Sequence, residues 1–137
     1  MVKRISTTEL ILKKRVNFVK TKGGEFALKV SLTVNAQKYV ERVSVVDKLP
    51  SITKIHDRFS GPPPTRVDEK TRRIEWNFEK LEEGETRMVS YIIYSKIGIL
   101  GKFALPPATA FYESTGKIKE VQSNRAFFVS EQSKEEE

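Results

Sequence analysis

From Phe26 to Val34 the chain alternates without interruption. Phe26, Leu28, Val30, Leu32 and Val34 are large and apolar, and the residues between them, Ala27, Lys29, Ser31 and Thr33, are small or polar. A β-strand sends successive side chains to opposite faces. This segment therefore covers a core with one face and meets solvent with the other. Residues 73–79 repeat the pattern, with Ile74, Trp76 and Phe78 in one phase and Arg73, Glu75, Asn77 and Glu79 in the other. On a helix the same residues would be scattered around the surface. The two segments commit the chain to sheets with one oily side each, which must press against another layer.

Weaker strands fall into place around these two. Leu10, Leu12, Val16 and Phe18 share a phase at the start, and Val43 and Val45 share one before Asp47. Residues 87–94 are rich in β-branched and aromatic residues, which favour strands. Thr109 to Tyr112 and Ala126 to Val129 complete the set, with a shorter candidate from Ile52 to Ile55. Turn chemistry separates the runs: Gly23-Gly24, Asn35-Ala36-Gln37, Leu49-Pro50, residues 67–71, Gly84 after Glu82-Glu83, and Ser114-Thr115-Gly116. Gly61-Pro62-Pro63-Pro64 reads as a stiff, extended loop between strands. Short strands at spacings of roughly ten residues predict an all-β, Ig-like antiparallel β-sandwich of about seven to nine strands. Its span is residues 9–130, after a linker at 1–8 and before an acidic tail at 131–137 that is too charged to pack.

Composition narrows the function. At 137 residues there is room for one core. The absence of cysteine excludes disulfides, thiolate metal sites and cysteine catalysis. No apolar run approaches the roughly 20 residues that span a bilayer, so this segment is not expected to insert in a membrane. The first residues are basic but lack the apolar run of an export signal. Abundant Lys and Glu with two Met suit a thermophile.

The net charge of +7 is unevenly spread. Residues 1–22 carry Lys3, Arg4, Lys13, Lys14, Arg15, Lys20 and Lys22 against Glu9, whereas 131–137 carry four Glu against Lys134. The basic stretch has two readings: a footprint for an anion, or lysines that guard an edge strand from pairing with other chains. The second is the simpler.

A search for chemistry returns little. His56 is the only histidine, beside Asp57, with no third metal ligand near it in sequence. No serine sits in a nucleophile elbow, no loop has the acidic pattern of a calcium site, and Gly23-Gly24 lacks a phosphate-loop frame. The paired carboxylates, Asp68-Glu69 and Glu82-Glu83, lie in turns. No cofactor, metal or catalytic residue is assigned, and the expectation is a protein that is not an enzyme.

The turns and strands also occur in a familiar order. Val43-Ser44-Val45-Val46-Asp47-Lys48-Leu49-Pro50 resembles the V-x-V-x-D-x-L-P segment of an Ig-like repeat of bacterial and archaeal surface proteins, the domain of unknown function numbered eleven. That repeat continues with a Trp strand, a leucine, a glycine turn and an aromatic strand, here Trp76, Leu81, Gly84 and Tyr91 to Tyr94. Gly101 to Tyr112, with Pro106-Pro107-Ala108, is similar to late sandwich domains of bacterial alpha-2-macroglobulin-like proteins, and Ser123-Asn124 fits the position before their last strand. Asn35-Ala36-Gln37 and the Pro62–Pro64 run depart from the repeat's pattern. The resemblance implies a spacer or interaction module in an envelope protein, with other domains of that assembly as partners.

The residues that carry it have physical roles of their own. Asp47 is placed to accept backbone N–H groups where its strand stops, and Pro50 blocks continuation. Trp76 is expected at the centre of the core, and Gly84 in the turn after Leu81. Pro106 and Pro107 are expected where the chain crosses between sheets. Tyr112 is expected to bond backbone in the manner of a tyrosine corner. Leu49, Tyr91 and Gly101 complete these structural positions. The alternative function is a basic, OB-like barrel that binds nucleic acid. A third is a carbohydrate-binding sandwich with Tyr91, Tyr94 or Tyr112 as its platform. The expected location is the cell surface as part of a longer protein, or the cytoplasm if the chain is a complete gene product.

Overall fold

The computed structural model describes residues 8–19, 26–50, 53–95 and 102–129. Among them are eleven strands and no helix: β1 Leu10–Val19, β2 Phe26–Ala36, β3 Val40–Lys48, β4 Lys54–Ser60, β5 Arg66–Asp68, β6 Arg73–Leu81, β7 Thr86–Ser95, β8 Lys102–Leu105, β9 Thr109–Ser114, β10 Lys117–Gln122 and β11 Ala126–Val129. They form a four-stranded sheet in the order β1-β2-β7-β4, a five-stranded sheet in the order β10-β9-β3-β6-β5, and the small pair β11-β8. All pairings are antiparallel. The two larger sheets stack as a sandwich. The strand count exceeds the expected seven to nine because β5 and β8 have four residues or fewer, too short to stand out by periodicity, and β10 is exposed along nearly all its length, whereas Ala126–Val129, expected as a strand, is β11.

The alternation read from the sequence is the alternation of burial. Leu28, Val30, Leu32 and Val34 of β2 face inward, as do Val89, Tyr91 and Ile93 of β7. The opposing sheet contributes Val43 and Val45 of β3, Ile74, Trp76 and Leu81 of β6, and Ala110 and Tyr112 of β9. Trp76 is 1% exposed and meets Tyr91 across the two sheets, with ring centroids 5.9 Å apart and planes inclined at 32°. At the far end of β1 the core does not reach Phe18, which is 53% exposed, and Phe78 is only half-buried. On β3 both Val40 and Val43 are buried, although they are three residues apart. Arg42 takes φ 49° there and the register against β9 slips between Glu41 and Ser44, which restores the inward phase.

Turns do what their residues permit. Thr115 and Gly116 have φ of 50° and 76°, both positive, as a two-residue hairpin loop between β9 and β10 requires. Gly84 has φ 85° and donates its N–H to the Ala36 carbonyl at 2.7 Å, so the β6–β7 turn clamps the end of β2. Pro62–Pro64 carries the chain from β4 in one sheet to β5 in the other. Pro106 and Pro107 lie between β8, in the small pair, and β9, in the five-stranded sheet. Gly23-Gly24, Ile52, Gly101 and the segments 1–7 and 131–137 lie outside the described residues.

Candidate functional site

Among the described residues, two polar clusters and two open surfaces depart from a plain apolar core. The first cluster is buried and centres on Asp47. Asp47 follows Val43 and Val45 in phase, so its carboxylate points into the sandwich and is 1% exposed. Across the layer, Lys14 follows Leu10 and Leu12 in phase on β1 and is driven inward as well. Its Nζ donates to Asp47 Oδ1 at 2.8 Å and to the Pro106 carbonyl at 2.6 Å. The Tyr91 hydroxyl donates to Asp47 Oδ2. Burial, with the Asp47 carboxylate beside it, pushes the Tyr91 hydroxyl well above its ordinary pKa. Asp47 was expected to cap backbone where its strand ends. It does accept the Lys48 N–H at 3.0 Å, but its main partners are a lysine and a tyrosine from the opposite sheet, because its phase aims it at the core. Both charged side chains are wholly shielded from solvent, so the cluster ties the two sheets together and offers no face to a ligand.

The second cluster is built on Glu9, just before β1. Its carboxylate accepts the Ser114 hydroxyl at 2.6 Å, the Lys119 ammonium at 2.9 Å and the Tyr112 hydroxyl at 3.2 Å. The Ser114 hydrogen bond, and then the Lys119 ammonium, hold the Glu9 carboxyl below its usual range. Tyr112 thus bonds a carboxylate, just before the start of β1, instead of backbone. Burial, with Glu9 opposite, raises the Tyr112 hydroxyl. Tyr91 and Tyr112 are both buried, which removes them as an exposed platform: their positions fall on the inward phase of β7 and β9. Tyr94 is half-buried.

The remaining motif residues shape a corner. Leu49 is buried and donates its N–H to the Arg72 carbonyl at 2.8 Å. The Pro50 carbonyl accepts the Arg72 guanidinium at 2.5 Å and the Thr53 hydroxyl at 2.8 Å. Arg72 itself takes φ 58°. His56 lies on β4. No group of three His, Asp or Glu is gathered as for a metal ion among the described residues.

The first open surface is a groove of about 530 Å³ on the outer face of the five-stranded sheet. Its floor follows from register. Thr109, Val46, Glu75 and Arg66 lie in one row across β9, β3, β6 and β5, and Lys48, Arg73 and Asp68 lie in the next. Pro106, Pro107 and Phe111 line one side, and Phe111 is 40% exposed. Asp68 caps the turn after β5, accepting the N–H groups of Lys70 at 3.0 Å and Thr71 at 3.3 Å. Those bonds lower its pKa, Thr71 first. Glu75 accepts the Ser44 hydroxyl at 3.2 Å. Lys48 and Arg73 form no ion pair among the described residues. The groove therefore offers an aromatic ring, hydroxyls and two uncommitted cations, a set suited to holding a polar ligand. Phe111 was not singled out from the sequence. The signal was present, since it lies out of phase with Ala110 and Tyr112 and so must face outward.

The second surface is the outer face of β1, β2 and β7, where Lys13, Arg15, Asn17, Ser31, Thr33 and Met88 line a shallow depression.

No protein-family model matches the chain, and no curated protein does either. Solved structures share its fold. A GH20 exo-β-N-acetylglucosaminidase from Vibrio harveyi, solved with N-acetylglucosamine, aligns with 85% of this chain at a TM-score of 0.56 and 13% identity. The chain spans only 18% of that enzyme's length. The collagen-binding domain of a Staphylococcus aureus adhesin aligns with 90% of this chain and 97% of its own length, at a TM-score of 0.51 and 12% identity. At such identities the likeness is one of fold: a β-sandwich that occurs as an adhesin domain and as one region of a larger glycosidase.

Proposed function

We propose that this domain is a non-catalytic, Ig-like binding and spacer module of a larger surface or envelope protein, and that it contacts its ligand through the groove beside Phe111. The observation that carries this reading is the division of polar groups. The Tyr91 hydroxyl, pushed well above its ordinary pKa, is sealed in the core beside Lys14 and Asp47, while among the described residues no histidine lines the open groove. Asp68 and Glu75 are committed to a turn and to Ser44, which suits binding better than proton transfer.

The sandwich likeness to an adhesin domain and to a glycosidase region supports the same reading, and the V-x-V-x-D-x-L-P segment favours the numbered surface repeat as its distant relative. The nucleic-acid alternative is weakened because Trp76 is buried and the described strands form two stacked sheets and a small pair, not a closed barrel. No helix among the described residues is long and apolar enough to cross a membrane.

The test is a binding screen of the purified domain against collagen and against N-acetylglucosamine-containing glycans. Wild-type protein should retain one of them, and Phe111→Ala should weaken that interaction about tenfold, the usual loss for an aromatic anchor. Undiminished binding by Phe111→Ala would remove the groove from the proposal. Turnover of a glycoside substrate would remove the non-catalytic reading.

A further inference from the structure

Strands β1, β2 and β7 contain no aspartate or glutamate at all, yet they carry Lys13, Lys14, Arg15, Lys29 and Arg87. Two of these cations are accounted for. Lys14 is sealed against Asp47, and Arg87 pairs with Glu85 at 2.5 Å. The other three stand in the outward phase of the four-stranded sheet. Lys13 and Arg15 are exposed on β1, and Lys29 lies opposite Asn17 on β2. None of the three makes an ion pair among the described residues.

Edge protection does not explain this arrangement. A guarding lysine belongs on a strand whose hydrogen-bonding edge is open. The β1 edge between Lys13 and Arg15 is already occupied: the Asn124 carboxamide accepts the Lys14 N–H at 2.9 Å and donates to the Lys14 carbonyl at 2.9 Å. Lys29 is on β2, between β1 and β7, and has no edge to guard.

We propose that this face binds an acidic polysaccharide. On a strand, alternate residues are ~7 Å apart and neighbouring strands ~5 Å apart, so the three cations form a patch that meets successive charges of a linear polyanion. Between them, along a depression of about 810 Å³, stand the short hydroxyl and carboxamide groups of Asn17, Ser31 and Thr33 together with the exposed Met88. The hydroxyl and carboxamide groups bond sugar hydroxyls. No aromatic ring among the described residues lines the depression for a nucleobase to stack on, and base stacking supplies much of the affinity in single-strand binding. Charge complementarity together with this lining selects an anionic sugar chain over nucleic acid. The face is on the opposite sheet from the Phe111 groove and does not depend on the function proposed for that groove.

The experiment measures affinity for polygalacturonate, dextran and an oligothymidylate at about 50 and 200 mM salt, a range over which contacts of this kind lose about tenfold or more. The wild-type domain is expected to bind polygalacturonate with that salt dependence and to ignore dextran. The triple variant Lys13→Gln, Arg15→Gln, Lys29→Gln should lose at least tenfold in affinity. A control of equal charge, Lys38→Gln, Lys70→Gln, Lys117→Gln, should change it less than twofold. Lys29→Gln alone, from an interior strand, should weaken binding measurably and serves if the triple variant fails to fold. The proposal is overturned if polygalacturonate does not bind at low salt, if both triple variants lose affinity equally, or if the oligothymidylate binds more tightly than the polysaccharide.

Discussion

Asp47 shows how strongly phase governs a single residue. It and Lys14 are charged, yet each occupies an inward position in its strand, and each is held there by the other. Removing one partner from a buried pair leaves an uncompensated charge, which costs about 3–5 kcal/mol, whereas replacing both by apolar groups is often neutral. Asp47→Ala should therefore lower the urea midpoint sharply, and Lys14→Met combined with Asp47→Leu should recover most of the loss.

Glu9 adds a pH dependence. Its carboxyl is depressed in the folded state by Ser114 and Lys119. The associated stability is present above the unfolded carboxyl pKa of about 4.3 and is lost as pH falls through the lower folded value. Glu9→Gln should accordingly be less stable than wild type at neutral pH, and the two urea midpoints should converge towards pH 3. Both clusters were half legible. The even-numbered phase Leu10, Leu12, Lys14 and the odd-numbered phase Val43, Val45, Asp47 point both charges inward. Their partnership depends on how two sheets are laid over each other, and no local pattern carries that.

At the scale of elements, long alternating strands were readable, and of the shortest strands only β11, Ala126–Val129, was. β2 and β6 stand out because one whole face is apolar. β10 is exposed along nearly all its length, with Ile118 80% exposed, so it has no inward phase to detect. It exists because the Thr115-Gly116 turn folds it back on β9. β8 and β11 have four residues each and are defined by pairing with each other. The segment before β11 matters more than its length suggests. Asn124 supplies the β1 edge with the donor and acceptor that a neighbouring strand would have given. Asn124→Ala should cost about 1–2 kcal/mol, the worth of two such bonds, and hydrogen exchange should accelerate at the Lys14 amide while the centre of β2 stays protected.

As a whole molecule, the sandwich closes over one continuous core drawn from both large sheets, and a domain of this size with one core is expected to unfold in a single step. Trp76 reports on the interface between the sheets, so indole fluorescence and far-ultraviolet circular dichroism should give coincident urea transitions. Separate midpoints would mean that one sheet outlasts the other. The fold class was visible in the sequence because alternation and turns repeat along the chain. The two open faces were visible only in part: the basic stretch with Lys13 and Arg15 stood out, but the groove and the joining of Lys29 to that stretch arise only when register lines up residues from different strands.

The strands that begin and end the described chain lie side by side, β11 against β1, and Lys14 is gripped from both directions. Asp47 holds its ammonium from within, and Asn124 holds its backbone from outside. Tension applied through the flanking sequence meets Glu9 first at one end, with its bonds to Gln37, Lys38, Ser114 and Lys119, and the β8–β11 pair at the other. Stretching would therefore have to strip both of these before it reached the double anchorage at Lys14.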